Sequence, residues 1–83
     1  MPDEKLLEKM RRSKGGWRFN DLERLYLSFG FKKHEGSKHT MYIHPDFPQL
    51  RATVARHKSL AVGYIQFAIK LIDSLKTLKE ASK

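Results

Sequence analysis

Gly36, Ser37, Lys38 and His39 stand in succession in a chain with few other groups suited to chemistry. A glycine lets backbone approach a ligand closely, and a serine hydroxyl can hold a phosphate oxygen or cap a turn. Histidine is the side chain best suited to proton transfer near neutral pH. The run falls in a predicted hairpin turn, with His39 on the first residues of the strand that follows. A rigid element therefore holds the imidazole. On the other reading, Gly36 and Ser37 merely make the turn and His39 packs at its edge, and spacing alone favours that one. Of the other histidines, His34 reads as a surface strand residue and His44, before Pro45, as a solvated turn residue. His57 follows the third predicted strand. The chain has no cysteine and the four histidines lack ligand spacing, so neither a metal site nor a disulfide is expected. No cofactor is expected either.

The elements that position these residues are legible in the hydrophobic pattern. Asp3 to Arg12 carries Leu6, Leu7 and Met10 at helical spacing, a short helix whose docking the sequence does not give; Ser13-Lys14-Gly15-Gly16 breaks it. A second helix is predicted from Asn20 as N-cap, with Glu23 completing a capping box and Phe19 stapling the start. Leu22, Leu25, Tyr26 and Phe29 form its apolar stripe, and Gly30 is placed to end it in a left-handed conformation. Three extended segments follow: Phe31 to His34, Lys38 to His44 and Leu50 to Arg56, separated by Glu35-Gly36-Ser37 and by a turn holding Pro45 and Pro48. A long helix is predicted from about Val62 to Lys79, with Ile65, Ala68, Ile69, Ile72 and Leu75 inward and Leu71 and Leu78 widening the stripe. The expected fold is α+β, a two-layer sandwich with helices on one face of a three-stranded meander and the other sheet face open. Residues 1–16 read as an N-terminal extension and 17–83 as the domain.

Seventeen Lys and Arg against nine Asp and Glu give 83 residues a net charge of +8. The positive field of so small a body attracts polyanions, nucleic acid foremost, with an acidic protein or an anionic membrane surface as alternatives. Lys32, Lys33, Lys38, Arg51, Arg56 and Lys58 cluster in the sheet region and read as a phosphate-tracking surface. Tyr42 and Phe47 either stack on bases or pack in core and turn. Lys76, Lys79 and Lys83 read as a solvated helix end. No run approaches the length of a membrane span, and the amino terminus has acids before its bases, unlike a secretory signal. A cytoplasmic location is the expectation.

The run from Gly30 to Pro45, GFKKHEGSKHTMYIHP, is preceded by RFNDLERLYLSFGF and followed by TVARH and a C-terminal helix. Together these segments, from about Arg18 to Leu75, resemble the HicA family of bacterial toxins, most specifically in the glycine-serine-any-histidine turn at Gly36 to His39. The resemblance implies a double-stranded-RNA-binding-domain-like fold of helix, three strands and helix. It also implies an mRNA interferase, a metal-independent endoribonuclease whose essential histidine matches His39. It implies mRNA as substrate and a HicB-type antitoxin as protein partner, covering the face that bears His39. Gly36, Ser37, Lys38, Lys32, Lys33, Arg56 and His57 become candidate RNA contacts, and His57 and His34 candidates for a second acid or base. Two positions depart from the family pattern: Ala55 stands where a proline is frequent, and Lys38 where histidine or asparagine is. A non-catalytic RNA-binding module of the same fold and a protein-interaction domain using the open sheet face are the competing functions.

Overall fold

Helix, helix, three antiparallel strands and helix follow in that order in the computed structural model, which describes residues 2–55 and 60–81. The fold is α+β, with the helices on one face of a β1-β2-β3 meander. Helix α1 (Glu4–Arg12) is capped by Asp3, whose Oδ1 accepts the Leu6 N–H at 3.1 Å. Glu4 in its first turn and Lys9, Arg11 and Arg12 in its last suit the helix dipole. Its apolar stripe is docked: Leu6, Leu7 and Met10 are buried in the same core as the rest of the chain. The Arg11 guanidinium grips the Asp73 carboxylate through both terminal nitrogens, and Lys76 reaches Glu4 at 2.8 Å.

Helix α2 (Phe19–Ser28) begins earlier than the sequence predicts. Arg18, not Asn20, is the N-cap, and its N–H donates to the Asp21 carboxylate at 3.1 Å. Phe19 is thus the first helical residue rather than a staple before the cap. Glu23 is drawn instead to the sheet by Lys33 and the Tyr42 hydroxyl. The end of α2 follows expectation. Gly30 takes a φ of +92°, the Phe31 N–H returns to the Tyr26 carbonyl and the Gly30 N–H to that of Leu27, both at 3.1 Å. That is a Schellman motif, and its usual apolar contact is present as the Tyr26 and Phe31 rings, 5.2 Å apart edge to face.

Strands β1 (Lys32–Glu35), β2 (His39–Ile43) and β3 (Arg51–Ala55) pair with Lys33 opposite Tyr42 and Tyr42 opposite Ala52. Period-two alternation then sends Tyr42, Thr40, Ala52 and Val54 into the core. Tyr42, fully buried, stacks on Tyr26 at 5.0 Å, so it is core and not a base-stacking platform. Helix α3 (Val62–Ala81) buries Ile65, Ala68, Ile69, Ile72 and Leu75, the stripe its periodicity predicts. Lys76 is more than a solvated end: besides Glu4 it holds its ammonium 5.7 Å from the centre of the Phe29 ring.

His44 is the clearest departure from the sequence reading. It is 3 % exposed and structural, with Nδ1 accepting the Asp46 N–H at 3.1 Å and a hydrogen bond to the Phe29 backbone. The Phe31 ring meets it edge-on at 5.3 Å, and Phe47 covers it from the turn at 5.5 Å. The sequence shows only His-Pro, a turn signature; burial comes from the Phe29–Phe31 corner folding over it. Burial pushes its pKa below the ordinary histidine value and Lys79 adds to this, against the opposing pull of Asp46 and the Phe29 bond. An unfolded chain binds a proton at His44 more readily than the folded one, so stability rises with pH here. It is lost progressively as pH falls from about 6.5 toward the depressed folded value. Urea unfolding of the wild type should therefore weaken from pH 7 to pH 5.5. His44→Ala should be less stable at pH 7 by about 1–3 kcal/mol, from the stranded Asp46 N–H, but flatter over that window. An unchanged pH slope in the variant would remove His44 as the cause.

Candidate functional site

The face of the sheet turned away from the helices carries the candidate chemistry. Register and alternation place Lys32, His34, His39, Met41, Ile43, Arg51, Thr53 and Ala55 on it. None is fully buried, and His34, His39, Lys32, Arg51 and Thr53 are exposed. The sheet's open face is thus basic and histidine-bearing.

His39 is fixed from both sides. The Gly36 N–H donates to its carbonyl at 2.8 Å, closing the turn around Ser37 and Lys38, and across β3 it stands opposite Ala55. Gly36 is needed for a steric reason. A Cβ there would come 3.1 Å from the His39 carbonyl oxygen, tighter than ordinary contact, so the neighbouring backbone would have to give. Gly36 lines a shallow depression of about 260 Å³ together with His34, Glu35, His39, Met41 and Thr53.

The second histidine of that depression is the geometric finding. His34 pairs with Met41, which makes it the diagonal cross-strand neighbour of His39 on the same face. Diagonal neighbours stand roughly 7–8 Å apart between backbones, near enough for long side chains to serve one ligand. Two imidazoles flanking a cleft can accept a proton on one side of a bound group and donate one on the other. No group of three or more His, Asp or Glu among the described residues is arranged to hold a metal ion.

The other predicted contacts separate into three sets. Ser37 and Lys38 are exposed in the turn beside His39, and Lys32 and Arg51 lie on the same face further along the strands. Lys33 points the opposite way. Its ammonium lies 2.7 Å from Glu23 and 2.9 Å from Glu35, so it joins β1 to α2 and is not offered to a phosphate on the histidine face. Burial opposes the charge of Glu23, but hydrogen bonds from Lys33 and Tyr42 outweigh it and hold the carboxyl below its usual range. Arg56, His57 and Lys58 lie outside the described residues, as does Lys83. The sequence offers His34 and His57 as possible partners of His39. Hairpin register brings His34 onto the His39 face, which the residues of the turn do not specify by themselves. No protein-family model, curated protein or solved structure matches the chain.

Proposed function

We propose that the chain is a metal-independent endoribonuclease of the HicA type, the toxin of a toxin–antitoxin pair, acting on mRNA with His39 at its centre. The observation that carries the reading is the depression in which His34 and His39 share one exposed, basic sheet face beside a side-chain-free Gly36. A scissile phosphodiester seated there meets an imidazole on each side. His39 removes the proton of the 2′-hydroxyl as that oxygen bonds to phosphorus. His34, protonated, gives its proton to the 5′-oxygen as the P–O5′ bond breaks. The products are a 2′,3′-cyclic phosphate and a free 5′-hydroxyl, and the two histidines have exchanged protonation states. In this reading Lys38 supplies positive charge to the non-bridging oxygens, and Lys32 and Arg51, on the histidine face, hold the flanking phosphates. A HicB-type antitoxin would silence the enzyme by covering this face, its acidic groups answering the basic surface.

The test is brief induction of wild type and His39→Ala in growing bacteria, with growth and RNA integrity followed together. Wild type is expected to arrest growth and fragment mRNA into pieces ending in cyclic phosphate, and the equally folded variant to do neither. Fragmentation by the variant at the wild-type rate would end the assignment of His39. Intact RNA and normal growth with both proteins would favour a non-catalytic RNA- or partner-binding module.

A further inference from the structure

A second surface, meeting the histidine depression at Thr53, has the character of a protein-docking groove. Among the described residues β3 pairs only with β2, so it is the outermost strand of the sheet at that end. Along it runs a depression of about 510 Å³, lined on one side by Arg51, Ala52 and Thr53 and on the other by Ala61, Gly63, Tyr64 and Phe67 from the approach and first turns of α3. Val62 and Phe67 are 44 % and 49 % exposed, two of the three large apolar side chains on the surface of the described residues. On the far side of Phe67 a second hollow of about 550 Å³ is lined by Lys14, Gly63, Gln66, Phe67, Ile69 and Lys70. Among the described residues, the cations lining these two grooves are Lys14, Arg51 and Lys70, and no acid lines either.

We infer that the groove between β3 and α3 receives an extended, acidic segment of another protein, added to the sheet as a fourth strand. This goes beyond the ribonuclease reading and does not depend on it. Three observations fix the occupant's chemistry. The outermost strand offers main-chain groups to a strand beside it, the mode of recognition by strand addition. Alternate residues of an added strand would point toward α3, where Ala52, Tyr64 and Phe67 present an apolar wall. The intervening residues would stand on the outer face beside Arg51 and Thr53, where an acid is matched. Alternating apolar and acidic residues satisfy both sides. RNA fits the cations but supplies neither the main-chain ladder nor apolar anchors for Tyr64 and Phe67.

The test uses the full chain and an end-blocked eight-residue peptide of alternating glutamate and valine, followed by NMR titration of backbone amides. Binding is expected to shift the amides of residues 51–55 and 63–67. Phe67→Glu should weaken it at least tenfold, and so should Gly63→Leu. Both variants should keep the fold, because Phe67 is half exposed and a Cβ at Gly63 meets nothing within 4 Å. A peptide with prolines at the acidic positions should also bind at least tenfold more weakly, through loss of the ladder. Failure of the glutamate–valine peptide to bind overturns the proposal, as does binding unaffected by both variants. If octauridylate moves the amides of residues 63–67 and the peptide does not, the groove belongs to nucleic acid and the proposal falls. Residues 63–67 do not line the histidine depression, so these outcomes leave the assignment of His39 unchanged.

Discussion

Purified protein carrying His39→Ala is expected to cleave single-stranded RNA about 10²–10⁴-fold more slowly than wild type, the usual worth of one positioned acid or base. His34→Ala should lose activity within the same range, and the double variant little more than the worse single one, since two groups acting in one step are not additive. Both side chains are exposed strand residues on the open face, so their truncation should change stability by no more than about 0.5 kcal/mol. The loss would then be chemical and not structural. A raised KM with kcat unchanged in both variants would mean that the histidines merely bind RNA. A wild-type rate in His34→Ala would leave His39 to work with another group. Lys33→Ala offers a contrast. It should lower stability through Glu23 and Tyr42 while leaving the cleavage rate per folded molecule largely unchanged, because Lys33 faces away from the depression.

Much of this architecture follows from patterns that single residues carry. The inward stripe of α3, the buried positions of α2 and the left-handed Gly30 are local consequences of a 3.6-residue period and a helix stop, and each is found where the pattern places it. The sheet is partly legible for the same reason: β-branched and aromatic alternation marks the strands. What local pattern does not carry is which distant groups compete for a side chain. Glu23 satisfies the capping-box spacing, yet Lys33 and the Tyr42 hydroxyl give it charge-assisted bonds that a helix start with Asp21 available does not need. His44 sits in a turn by every sequence signal and is nevertheless buried, because the α2–β1 corner closes over it. The candidate site divides in the same way. His39 beside Gly36 is visible in the sequence, whereas its sharing of a face with His34 depends on hairpin register. Register is in turn set by whether Tyr42 or Met41 faces the helices. Tyr42 goes inward because Tyr26 and Glu23 receive its ring and hydroxyl, and that choice places Met41, His39 and His34 outward together.

Residues 17–83 alone are expected not to fold, although the glycine break at Gly15-Gly16 invites the reading that the first sixteen residues are an appendage. Leu6, Leu7 and Met10 are respectively 3 %, 2 % and 0 % exposed. Full burial of such side chains is worth about 1.5–3 kcal/mol each, as an upper estimate. A domain of this size has a total stability of roughly 4–12 kcal/mol. Removing α1 therefore takes away a large fraction of the net stability and uncovers the apolar surface of α3 on which it packs. Circular dichroism and NMR dispersion of the truncated chain should show loss of cooperative structure, and Leu7→Ala in the full chain should cost about 2–5 kcal/mol in urea unfolding. Arg11→Ala should cost far less, about 1 kcal/mol or below, because its bidentate contact with Asp73 is substantially solvated. A cooperatively folded 17–83 fragment with a wild-type midpoint would make α1 an appendage. Unfolding of that fragment would make it part of the core that holds the strands, and through them His34 and His39, in register.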